Sequence, residues 1–140
     1  MTGRRVGDEV ADALAERLAG PDLAHVRLDS RRPAPPTRLV VLDLTGPGWA
    51  VSLAVGDDGG TVVSADGVPL AEPDVAGDVT GFVDATVLPL VAALDAGAVA
   101  IEREHDRRGR VRDATVTFSG TPPAGLPPVH RYRALPGARG

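Results

Sequence analysis

The stretch between Asp78 and Gly97 constrains this chain more than any other. Val79, Phe82, Val83, Thr86, Val87, Leu90, Val91 and Leu94 recur at three- and four-residue spacing and trace one wide apolar stripe. Asp78 is placed to cap the first turn, where backbone N–H groups lack partners and a short carboxylate can accept from one. A helix with such a stripe must bury it, so the remaining chain has to supply an apolar surface. Pro89 stands inside the pattern, where it removes one hydrogen bond and crowds residue 85. The stripe stays in phase across it, which predicts one kinked helix rather than two.

A second stripe opens the chain. Val6, Val10, Leu14 and Leu18 recur every four residues, while Glu9, Asp12, Glu16 and Arg17 take the wet side. This predicts a helix over 8–19 that Gly20-Pro21 ends. Between the two stripes the period changes to that of strands. Residues 24–29 alternate apolar with polar and place His25 on the polar face; 38–44 form a continuous apolar run suited to a central strand. Residues 49–55 put Trp49, Val51, Leu53 and Val55 on one face, and Gly56-Asp-Asp-Gly-Gly60 turns them onto 61–64. The Pro-rich segment 31–36 reads as a stiff loop, and 65–77, with Asp66-Gly67, Pro69 and Pro73, as a second loop.

After the long helix, 98–104 and 110–118 predict a hairpin across His105-Asp-Arg-Arg-Gly109, with Ala114, Val116 and Phe118 inward and Thr115 and Thr117 outward. From Ser119 the chain carries five prolines and reads as an extended tail, ordered where Leu126 and Tyr132 can dock. The order α-β-β-β-β-α-β-β defines an antiparallel α+β class. The expectation is a single two-layer domain over 1–118, with a sheet of about six strands and both helices on one face. Residues 119–140 form a Pro-rich C-terminal extension.

Composition narrows the function classes. Val, Leu, Ile and Phe make up about 26% of the 140 residues, above the roughly 20% below which a chain rarely buries a core. The net charge of −4 argues against a nucleic-acid binder. No apolar run approaches the roughly 18 residues of a membrane helix, and the N-terminus turns acidic where a signal peptide turns apolar; a cytoplasmic protein is expected. Without Cys there are no disulfides, thiolate zinc sites or Cys nucleophiles. All 15 basic residues are Arg, and Lys, Asn and Gln are absent, as codon usage in a GC-rich bacterial genome would produce. Lys nucleophiles and Schiff bases are thereby excluded.

Motifs for catalysis are not found. Gly56–Gly60 lacks the Lys and following helix of a phosphate loop and the distal Glu of a calcium loop. None of Ser30, Ser52, Ser64 and Ser119 sits in Gly-x-Ser-x-Gly. His25, His105 and His130 show no metal-ligand spacing, so neither a metal nor a cofactor is expected. The densest charged feature is the last hairpin, with Glu102, Glu104, His105, Asp106, Arg107, Arg108, Arg110 and Arg112. Cross-strand Glu–Arg pairing accounts for it without a ligand, yet a charged open sheet face is also good ground for a protein partner. The rival reading is a small-molecule binder or enzyme with a pocket between a curved sheet and the helices. Trp49, Phe82 and Phe118 would line that pocket, and His25 or Asp43 would supply its polar group. An edge strand at 61–64 would also permit a homodimer.

With this order in hand, the chain resembles the small immunity proteins of bacterial polymorphic-toxin systems. The resemblance rests on the opening helix Asp8–Ala19, the strand meander, the Val79–Leu94 stripe and the charged hairpin Glu102–Phe118 with Asp106-Arg-Arg-Gly109 at its turn. It spans residues 6–118 and is one of architecture rather than motif. Type III-like secretion chaperones are similar in element order and acidic character. Either likeness implies a non-catalytic cytoplasmic protein that masks another protein, a toxin or a secreted cargo, and binds neither nucleic acid nor membrane.

Overall fold

The computed structural model describes residues 6–31, 39–75 and 78–133. The opening stripe forms helix α1, Val6–Leu18, with Val10 and Leu14 fully buried. A 3-10 turn, Pro21–Leu23, follows. Five strands then form one antiparallel meander: β1 Arg27–Arg31, β2 Val40–Gly46, β3 Trp49–Val55, β4 Thr61–Ala65 and β5 Val68–Ala71. Except for Arg31, the loop expected at 31–36 lies outside the described residues, as does Arg38. The second stripe folds as α2 Val79–Phe82, a π turn Val83–Val87 and α3 Leu88–Asp95, continuous in the chain. A second antiparallel sheet completes the fold, with β6 Val99–His105, β7 Val111–Phe118 and β8 Val129–Arg133 in sequence order.

The α+β class and its antiparallel pairing stand as expected. Among the described residues the strands number eight, divided five and three between two sheets, where one sheet of about six was expected. Two of them come from segments read as loop and tail. Strand β5 follows a two-residue turn in which Asp66 and Gly67 both take positive φ (49° and 82°), the Asp-Gly pattern of a type I′ hairpin. Pro69 had argued against a strand, but β5 is an edge strand, where a missing N–H is tolerated. Strand β8 lies in the tail and pairs with β7 from Asp113↔Arg133 to Thr117↔Val129. Strand β4 is paired on both sides, so 61–64 offers no free edge for a second copy.

Local chemistry explains the joints. Pro47 and Gly48 (φ 78°) link β2 to β3, with Pro and a positive-φ Gly at the two central positions of the turn. The loops 56–60 and 106–110 share one geometry. In each, the fourth residue is a positive-φ Gly (Gly59, Gly109) whose N–H donates to the first carbonyl, as in a type I turn closed by a bulge. Asp78 caps α2 by accepting from the Gly81 N–H at 2.9 Å. Helix α3 ends in a Schellman motif: Gly97 N–H donates to Leu94 C=O and Ala98 N–H to Ala93 C=O.

Pro89 has a more specific consequence than a kink. The Ala85 carbonyl is the group that residue 89 would satisfy in a regular helix. It instead accepts from the Ala124 N–H at 3.0 Å, and Thr86 Oγ1 donates to Ala124 C=O at 2.7 Å. The π turn and Pro89 thus expose a backbone acceptor that holds the segment leading to β8. Leu126, two residues on, is buried as expected.

A single core joins these elements. The inward residues of the first sheet, Leu42, Leu44, Val51, Leu53 and Val63, are nearly inaccessible and cluster with Val10, Leu14, Val83, Val87, Leu90, Ala114, Val116 and Phe118. Gly7 lies against β2 so closely that an added Cβ would stand 2.4 Å from Val40 Cβ. Arg17 of α1 grips Asp84 of the π turn through two hydrogen bonds of 2.9 and 3.2 Å. That fork holds the Asp84 carboxyl below its ordinary range, chiefly through the Arg17 hydrogen bond.

Candidate functional site

The charged hairpin stands out from the body of the protein. Glu102, Glu104, His105, Asp106, Arg107, Arg108, Arg110 and Arg112 are all exposed. The turn is built by Asp106, whose Oδ1 accepts from the Arg108 N–H at 2.8 Å and the Arg110 N–H at 3.0 Å. These backbone donors, Arg110 first and Arg108 second, pull the Asp106 carboxyl below its usual range. Asp106 is therefore the structural member of the set, while the side chains of Arg107 and Arg108 are carried outward at the tip.

Registry assembles the outer face of this sheet in three rows: Ala100, Thr117, Val129; Glu102, Thr115, Arg131; and Glu104, Asp113, Arg133. Asp113 is the hub of the charged end. Its two oxygens accept from Arg133 Nε and Arg112 Nε, each at 3.2 Å, and Arg112 reaches on to Glu104 at 3.0 Å. The bonds to Glu104 and Asp113 push the Arg112 guanidinium further up from an already high value. At the opposite end Val129 is 57% exposed, the one large exposed apolar side chain among the described residues. Exposed pairs of this kind contribute on the order of 0–1 kcal/mol each, so the ladder is weak as a stabiliser.

Arg103 behaves differently from its neighbours. Strand alternation turns it away from Glu102 and Glu104, and its guanidinium donates to the Asp66 carbonyl at 2.8 Å, tying β6 to the β4–β5 turn. It is a clip between sheets. Val129, Arg131 and Arg133 were missed as members of the face. The alternation Val-His-Arg-Tyr-Arg over 129–133 was present in the sequence but stood among prolines and read as tail.

The five pocket residues do not surround one cavity. Trp49, Phe82 and Phe118 are each 6% exposed and belong to the core cluster. Asp43 pairs in register with Asp29 and Ser52, on the face of the sheet opposite Trp49, and is half-buried there. His25 lies in the turn before β1 rather than on the strand. There it meets a residue that sequence spacing could not identify: His25 Nε2 is 2.6 Å from Asp95 Oδ2, and Trp49 Nε1 donates to Asp95 Oδ1 at 2.7 Å. Asp95 closes α3, where the helix dipole disfavours a negative charge. Burial also works against its ionisation, but the bonds from His25 and Trp49 outweigh it and hold the carboxyl below its ordinary range. The trio ties the end of α3 to β3 and to the turn before β1.

Among the described residues no cluster of His, Asp and Glu is arranged to hold a metal ion, and no helix is long and apolar enough to cross a membrane. No family model, curated protein or solved structure matches the chain.

Proposed function

We propose that this chain is a protein-binding module, an immunity or chaperone-like protein that masks a partner in the cytoplasm. The observation that supports it is the outer face of β6–β7–β8, which among the described residues carries the exposed Val129 at one end and the Glu104–Arg112–Asp113–Arg133 ladder at the other. An antiparallel sheet commonly has one face packed and one free, and a face that offers both an exposed apolar side chain and alternating charges supplies the two kinds of contact that protein interfaces use. The exposed tip arginines, Arg107 and Arg108, add a steering charge that raises encounter rates with an acidic surface.

Co-expression with the products of neighbouring genes, toxins or secreted proteins above all, tests this reading. A stable complex is expected, with hydrogen-exchange protection of β7 and β8, and the triple change Glu102→Arg, Glu104→Arg, Val129→Asp should abolish it while leaving the melting temperature nearly unchanged. Full binding by that variant, or no complex with any neighbouring product, would overturn it.

A further inference from the structure

The two sheets end in four terminal strands, and these edges are not equivalent. Strands β5 and β8 lie against one another, and Pro69 removes a backbone donor from β5. Strand β1 spans only five residues, three of them the charged Arg27, Asp29 and Arg31; short length and charge both discourage pairing. Strand β6 is the longest of the four, seven residues without proline, and it opens on the uncharged Val99, Ala100 and Ile101. Among the described residues its one strand neighbour is β7. Arg103, an inward charge that would guard such an edge, is drawn to the Asp66 carbonyl.

The ladder itself shows which backbone groups face outward. Ser119 N–H donates to Ala98 C=O at 2.8 Å, and the same register continues from Val99↔Phe118 to Glu104↔Asp113. Hydrogen-bonded pairs alternate along an antiparallel ladder. Ala100, Glu102 and Glu104 therefore turn their N–H and C=O to β7, while Val99, Ile101 and Arg103 turn theirs to the open edge. The side chains of Val99 and Ile101 point inward, yet both are only half-buried, whereas Val116 and Phe118 opposite them on β7 are enclosed. Backbone pairing and apolar burial are both unfinished at one edge.

We infer that β6 pairs with β6 of a second copy, antiparallel about a two-fold axis at Ile101, which joins two three-stranded sheets into one of six. A two-fold perpendicular to the sheet keeps inner faces together, so Ile101 meets Ile101 of the copy and Val99 meets Arg103 of the copy. On the outer face Ala100 stands opposite Glu102 of the copy. Charge selects this register, because like charges directly opposite are destabilising. One step toward the hairpin tip sets Glu102 against itself, and a second sets Glu102 against Glu104 and Arg103 against itself. A step the other way carries Arg103 past the start of the paired strand and shortens the overlap. The contact is isologous and closes at two copies. It goes beyond the masking reading and does not depend on it.

Sedimentation equilibrium of the full chain from micromolar to millimolar concentration should show a monomer–dimer equilibrium. Ala100 is exposed, so substitutions there leave the fold intact, as thermal melts will verify. Ala100→Glu places two Glu–Glu pairs across the axis and should weaken the dimer roughly three- to tenfold, while Ala100→Arg should tighten it by a similar factor. The chain has no Cys, so introduced thiols report the register directly. A mixture of Ala100→Cys and Glu102→Cys chains should form the mixed disulfide, since residues of such a non-hydrogen-bonded pair stand about 4.5 Å apart at Cα. Either chain alone meets its own copy only on the diagonal, at about 7–8 Å, and should not cross-link. A monomer at every concentration, equal dimerisation by both Ala100 variants, or cross-linking that favours either chain alone would overturn the inference. So would a monomer whose β6 amides gain protection only on adding a neighbouring gene product, which would assign the edge to that product.

Discussion

The two sheets are turned by the same hairpin chemistry, yet one is structural and the other is open. The five-stranded sheet receives α1 and the α2–α3 helix on its inner face, and Leu42, Leu44, Leu53 and Val63 there are fully enclosed. In the three-stranded sheet only Ala114, Val116 and Phe118 are comparably buried, and β6 is largely exposed along its length. Loops 56–60 and 106–110 show the contrast at one scale. Both close with a positive-φ Gly, but the first packs against returning chain, through Val75 N–H to Gly59 C=O, and the second projects Arg107 and Arg108 into solvent. Turn chemistry alone therefore does not tell a scaffold hairpin from a presenting one; burial of the flanking strands does.

The largest test of this contrast is a truncation in each sheet. Leu53→Ala should cost about 2–5 kcal/mol, because a fully buried Leu leaves a cavity that rigid strands cannot fill. Thr117→Ala, on the open face of β7, should stay within about 0.5 kcal/mol. Urea denaturation of both variants measures the difference, and similar losses would break the comparison. Next comes Gly7→Ala: the new methyl meets Val40 at its Cβ, which cannot swing aside, and should destabilise by about 1–3 kcal/mol although Ala is the better helix former. Thr86→Val should cost about 1 kcal/mol by removing the hydroxyl that holds Ala124. Native-state hydrogen exchange should show the loss as faster opening in β8, with the five-stranded sheet unaffected.

The smallest effect is electrostatic. Asp84, Asp95 and Asp106 each have a folded-state pKa below the unfolded value. Their contribution is thus fully present above the ordinary carboxylate range near ~4 and is lost as pH falls through the lower folded values. Stability should be flat toward neutral pH from that side and decline on acidification. Asp95→Asn should flatten part of that acid limb and disturb Trp49 fluorescence, since Trp49 donates to this carboxylate. An unchanged acid limb would show that the Asp95 contacts make no net contribution to stability.

Much of the architecture was legible because it is written in short-range periodicity. The stripes of α1 and of Val79–Leu94, the alternation of β3, the cap at Asp78 and the inward set Ala114, Val116, Phe118 all appear as read. Strand β5 was legible too, in its Asp-Gly turn, but Pro69 outweighed that signal until its edge position was known. The charged hairpin was visible as composition, whereas the roles within it were not: Asp106 shapes the turn, Arg103 clips the sheets and Arg112 bridges to Asp113.

What the sequence determined by itself is the set of elements and the faces they must bury, since helical and strand periods and turn residues act over a few neighbours. Tertiary structure alone decided the division into two sheets, the recruitment of β8 from the tail and the meeting of Asp95 with Trp49 and His25 across 46 and 70 residues. Those outcomes depend on which surfaces remain uncovered once the helices have docked. No local pattern encodes that, because the free energy of a long-range contact is set by packing and desolvation at the place where distant segments happen to meet.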